Sequence, residues 1–116
     1  MKKYLALKPN TDATHLKVEL RYNLGGYNAF TCRQEPRGYY LSAVPIKRET
    51  HELEPGRTFT TEAFMAFTGT KVLVKEVTRK SSKAEREAER AMTKWEHDLI
   101  AHVLHENNME LEGVLA

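Results

Sequence analysis

The chain has 116 residues and a mass of 13.4 kDa, about the size of one domain, which leaves no room for a separate cofactor module beside a catalytic one. Hydrophobic residues make up 41% and charged residues 29%, the balance of a globular chain, and no apolar run reaches the roughly 18 to 20 residues that cross a bilayer. A formal charge of +2 is too small to argue for nucleic acid by itself, and the single Cys32 supplies neither an internal disulfide nor a cysteine-rich zinc site. These features predict a cytoplasmic protein with no membrane partner.

From Thr14 to Leu24 the residues alternate, with Leu16, Val18, Leu20, Tyr22 and Leu24 on one face and His15, Lys17, Glu19, Arg21 and Asn23 on the other. This pattern predicts a strand. Residues 2 to 7, with Tyr4, allow a further short strand. Gly38 to Arg48 reads as a strand that is apolar on both sides, and Pro45 places it at an edge or at a bulge because proline cannot donate to a ladder. Thr58 to Thr68, with Phe59, Thr61, Ala63, Met65 and Phe67 on one face, and Lys71 to Thr78 are joined through Gly69 and predict an antiparallel hairpin. Before this hairpin, between Arg48 and Thr58, HELEPG, with Glu52 and Glu54, reads as an exposed loop.

At Ser82 the period changes. Ser82 and Glu85 have the spacing of a capping box, and a helix follows to about Glu106. Ala84, Ala88, Ala91, Met92, Trp95, Leu99, Ile100, Val103 and Leu104 form its predicted apolar stripe, with Lys83, Glu87, Arg90 and Lys94 on the solvated face. Asn107 and Asn108 stop it, and Met109, Leu111 and Val114 follow in a tail that could pair with another chain or fray. The predicted architecture is α+β: an antiparallel sheet of about four or five strands packed on one long C-terminal helix, residues 1–108, with a tail over 109–116. One helix covers one sheet face, so the partly apolar second face predicts a homodimer.

Core building explains least of the segment LGGYNAFTCRQEPRGYY, residues 24–40. Gly25 and Gly26 permit positive φ and close approach to the backbone. Arg33 and Arg37 offer planar donors for a phosphate or carboxylate, and Tyr27, Tyr39 and Tyr40 could stack on a base or meet a protein. Together with Asn28 these form the candidate binding set, for a host protein or a small anionic, nucleotide-like ligand. The competing reading is a plain strand connection with half-buried tyrosines. A second candidate surface is the basic cluster Lys71, Lys75, Arg79, Lys80 and Lys83 at the sheet-to-helix junction, which would contact nucleic acid; its neighbours Glu85, Glu87 and Glu89 interrupt it.

No catalytic site is predicted. Cys32 is expected as a small buried apolar residue, and no nucleophile elbow or other local catalytic signature is present. Asp98, His102 and His105 share a side of the helix, a spacing that three histidines in one helix produce readily by chance, so His102 is expected to hydrogen-bond Asp98 and no metal or cofactor is assigned. The strings YNLGGYNAFT, EPRGYYLSAVPIKRE and FMAFTGTKVLVKEVTRKSSKAE resemble small uncharacterised proteins of phages and conjugative elements from gut Gram-positive bacteria, over roughly Leu20 to Glu89. The resemblance implies a mobile-element accessory protein that binds a host component, and it gives no residue a role.

Overall fold

The computed structural model describes residues 2–9, 11–64 and 70–113. In chain order the elements are β1 (Lys2–Ala6), β2 (His15–Asn23), β3 (Gly26–Asn28), β4 (Arg33–Glu35), β5 (Gly38–Glu54), β6 (Arg57–Phe64), β7 (Thr70–Glu76) and α1 (Ser82–Glu106). The fold is α+β, with a five-stranded antiparallel sheet packed on the C-terminal helix and β3–β4 as a separate small hairpin. The alternation of β2 is realised: Leu16, Val18 and Leu20 are buried and face the helix. Lys3 and Leu5 of β1 stand opposite Val18 and Leu16, so the short N-terminal run extends the same face.

β5 is the organising strand. Its 17 residues are enough to take partners end to end along one edge: Ile46 to Glu54 pair with β6, while Gly38 to Ala43 pair with β7. The other edge, from Gly38 to Ile46, pairs with β2. The expected hairpin between residues 58–68 and 71–78 is therefore replaced, since both segments pair with β5. HELEPG is not a loop but the end of β5 and the turn into β6, through Pro55 and Gly56. Pro45 lies in a central strand opposite Leu16, and the described ladder on the β6–β7 edge skips Val44 and Pro45, where a donor is missing. Met65, Phe67 and Gly69 of the expected hairpin, and Val114 of the tail, lie outside the described residues.

The helix cap is Ser81, one residue before the predicted Ser82. Ser81 Oγ accepts from the Ala84 amide at 3.1 Å, and the Ser81 carbonyl accepts from Glu85 N at 3.0 Å. Ser82 is thus the first helical residue. The stripe also turns further than the sequence predicts. Each step of four residues advances about 40° around the axis, so the row Ala84, Ala88, Met92, Glu96 and Ile100 winds across the twisted sheet. Ala84, Ala88, Met92, Leu99, Ile100 and Val103 are buried, whereas Ala91 is exposed and Trp95 is 43% exposed. Glu96 takes the place expected for Trp95 and pairs with Lys3 across the gap to β1. Lys94 stands over the Trp95 ring, 5.5 Å from its centroid.

Asn107 caps the helix, and Asn108 adopts φ 54°, a left-handed conformation that asparagine tolerates. The chain then turns back. Met109 is buried, Leu111 bridges to Leu7, Lys8 N donates to Glu110 O and Glu112 N to Ala6 O, both at 2.9 Å. The described part of the tail thus continues the edge beside β1.

Candidate functional site

The segment between β2 and β5 folds as a hairpin standing off the main sheet. Gly25 at φ 75° makes the first turn, and a Cβ there would meet the Glu35 carbonyl oxygen at 2.7 Å, so only glycine fits. Asn23 Oδ1 accepts from Gly25 N at 2.9 Å. At the tip Asn28 Oδ1 accepts from Phe30 N at 3.0 Å, and Asn28 Nδ2 donates to Glu35 at 2.9 Å. Asn28 therefore holds the turn closed. Phe30 is fully exposed, Tyr27 is 66% exposed and Leu24 is 67% exposed.

The eight candidate residues do not converge on one pocket. Tyr27 stands opposite Gln34 and Asn28 opposite Arg33, so strand alternation sends Tyr27 and Arg33 to opposite faces of the hairpin. Arg37 sits at the base, where Nε donates to Leu24 O at 3.2 Å and Nη1 to Thr78 O at 3.1 Å. Tyr39 is buried in the core and donates to Ser81 O at 3.1 Å, anchoring the helix start. Tyr40, also buried, donates to Pro36 O at 2.6 Å; burial is the main cause that raises its phenol above the ordinary value. Gly26 has φ 118° and open space around it. Tyr27 and Arg33 thus remain presented outward, while Gly25, Asn28, Arg37, Tyr39 and Tyr40 build the mount. Leu24, expected on the apolar face of the strand, lies beyond the end of β2 and is exposed, and Phe30 was missed; its signal was an apolar side chain in a turn segment with no alternating strand to bury it.

The face of the sheet away from the helix is largely shielded by its own side chains. Glu62 accepts from Tyr4 and from Lys17, the latter at 3.0 Å, and Arg48 stacks on the Tyr4 ring at 4.1 Å. The Tyr4 and Lys17 hydrogen bonds hold the Glu62 carboxyl below the usual carboxylate range. Lys71 pairs with Glu35 at 2.7 Å and stands 5.1 Å from the Tyr40 ring centroid, and its hydrogen bond is the main cause that lowers Glu35. Of the large apolar residues of this face, Ile46 and Tyr40 are buried within the single chain, whereas Phe64, opposite Ile46, is exposed.

At the sheet-to-helix junction an open groove of about 990 Å³ is lined by residues that include Arg37, Lys75, Glu76, Arg79, Lys83 and Glu87. Lys75 pairs with Glu87 at 2.9 Å, and that bond, helped by Lys83 and Arg90, lowers the Glu87 carboxyl. The predicted basic cluster is divided. Lys71 is turned to the helix-free face, while Lys75, Arg79 and Lys83 line the groove and are joined there by Arg37.

Cys32 is exposed in the hairpin turn at φ 56°, with Sγ 3.7 Å from Ala29 O, which corrects its expected burial. The turn has no second layer to bury it. Asp98 lies 4.0 Å from His97 and not against His102, and among the described residues no group of three or more His, Cys, Asp or Glu could hold a metal ion. Glu52 and Glu54 are exposed in β5. No helix among the described residues is long and apolar enough to cross a membrane. Compared with protein families, curated proteins and solved structures, the chain matches none.

Proposed function

We propose that this is a non-enzymatic cytoplasmic binding protein, a mobile-element accessory factor that occludes a host protein through the β3–β4 hairpin. The observation that supports it is the exposure of Leu24, Tyr27 and Phe30 on a hairpin whose base and tip are both hydrogen-bonded. Aromatic side chains offer large contact area with few torsions to freeze, and a rigid mount lowers the entropic cost of docking. Occlusion of a protein is favoured over sequestration of a small anion by this segment, because Arg33 and Arg37 do not face a common space. A homodimer belongs to the same proposal, although the buried Ile46 and Tyr40 leave less apolar area on the helix-free face for a second copy to cover.

The test is affinity capture from the native host with quantitative mass spectrometry, comparing wild type with Tyr27→Ser/Phe30→Ser. The expected result is one or a few proteins recovered with wild type and reduced roughly tenfold or more with the variant, the scale of losing hot-spot aromatics. Equal recovery by both proteins, or no enriched protein, removes the reading. Sedimentation of the purified chain tests the dimer separately, and a monomer at every concentration would exclude it.

A further inference from the structure

The groove at the junction of β7 and α1 is separate from the hairpin, and its charges do not cancel. Lys75 and Glu87 neutralise one another at 2.9 Å. What remains among its lining residues is Arg37, Arg79 and Lys83 against the single carboxylate Glu76. Neither Arg79 nor Lys83 has a salt-bridge partner among the described residues, and both are exposed. Arg37 is different in kind. Two carbonyl oxygens, Leu24 O at 3.2 Å and Thr78 O at 3.1 Å, fix its guanidinium through Nε and Nη1, so the second terminal nitrogen is held in place at little further entropic cost.

We propose that this groove binds phosphate groups, with Arg37 as the fixed donor and Arg79 and Lys83 closing from the loop and the helix. Phosphate suits the arrangement because the second terminal nitrogen of Arg37 has N–H donors to offer a phosphate oxygen while Nε and Nη1 stay on their carbonyls, and a lysine adds a mobile point charge. A groove of about 990 Å³ lies at the upper end of the usual range for small-ligand clefts, so it accommodates a whole nucleotide or one stretch of strand. The cleft is open along the surface, and its lining is net positive, with Arg37, Lys75, Arg79 and Lys83 against Glu76 and Glu87. The start of α1 lies in the same lining through Ser81 and Lys83, and helix starts favour anions. The phosphate could be carried by a free nucleotide or by a single-stranded nucleic acid. This inference goes beyond the hairpin reading and stands or falls without it.

The experiment is a binding titration with two probes, ATP followed by calorimetry and a short fluorescent oligothymidylate followed by anisotropy, each at about 50 mM and about 200 mM salt. The expected result is binding of at least one probe that weakens as salt rises. Arg79→Glu should weaken it roughly tenfold or more, the scale of one charge-assisted hydrogen bond. Lys83→Glu should act in the same direction, and it serves if the first variant proves unstable. Lys94→Glu makes the same change of charge outside the groove and should alter affinity less than about twofold. Binding of ATP alone assigns a free nucleotide, and binding of the oligonucleotide alone or of both assigns a strand. Failure of both probes at low salt overturns the site, as does equal weakening by Arg79→Glu and Lys94→Glu.

Discussion

The two halves of β5 share one strand and experience different surroundings. From Gly38 to Ile46 it pairs with β2 along one edge, with β7 on the other as far as Ala43, and has α1 across one face, and Tyr39, Leu41, Ala43, Pro45 and Ile46 are buried. From Lys47 to Glu54 it pairs only with β6, and every described residue of β6 is exposed. Both halves contain large apolar side chains, and β-propensity does not distinguish them. Burial there depends on what lies above the strand. A two-stranded ribbon has no second layer against which Leu53 or Phe59 could be covered, and such ribbons are marginally stable by themselves. The ribbon is held instead by side-chain pairs: His51 stacks on Phe59 at 5.0 Å, and Glu62 ties its root to Tyr4 and Lys17.

The largest test of this contrast is a matched pair of truncations. Leu41→Ala, in the covered half, should cost about 2–5 kcal/mol of unfolding free energy, because a cavity is left where no water was. Leu53→Ala, in the ribbon, should stay within about 0.5 kcal/mol. Chemical denaturation reads both, and equal costs would break the distinction between the halves.

A second pair probes the backbone. An added Cβ at Gly38 would lie 2.2 Å from the Lys75 carbonyl oxygen of β7, so Gly38→Ala must push two paired strands apart and should cost roughly 1–3 kcal/mol. Gly56, at the ribbon turn, has open space but φ 80°. Gly56→Ala should therefore cost about 1 kcal/mol from conformation alone. Thermal unfolding of the two variants, with Gly56→Ala the milder, sharpens the comparison.

The smallest expected effect is electrostatic. The Glu62 carboxyl is held below its ordinary value by Tyr4 and Lys17, so its contribution is present above the ordinary carboxylate range and is lost as pH falls through the lowered folded value. Melting temperatures measured from pH 7 down to about pH 3 should decline. Glu62→Gln should flatten part of that decline, and an unchanged slope would remove Glu62 as the tie at the ribbon root.

Much of the architecture was legible because hydrophobic period is local. Leu16, Val18 and Leu20 alternate within one strand, and the helix is bounded by serines at one end and Asn107–Asn108 at the other. Strand pairing was less legible. Gly69 and the short link favoured a hairpin between neighbours, yet β6 and β7 both pair with β5, since its unbroken 17-residue length could not be read through the Pro-Gly punctuation after Glu54. The candidate site divided for a similar reason. Composition brought Arg33, Arg37 and the tyrosines together, but it could not distinguish Tyr27 in solvent from Tyr39 in the core.

The sequence by itself determined which segments are extended, where the long helix starts and stops, and that they assemble as strands first and helix last. Those properties depend on neighbours within a few residues, through side-chain period, capping and turn chemistry. Only the tertiary structure decided which strand shares an edge with β5, why Glu96 and not Trp95 faces the sheet, and that Arg37 joins Arg79 and Lys83 in one groove. Backbone ladders offer the same donors and acceptors to every candidate strand, and a helix's covered side depends on the angle at which it crosses a twisted sheet, so both follow from contacts between residues far apart in the chain.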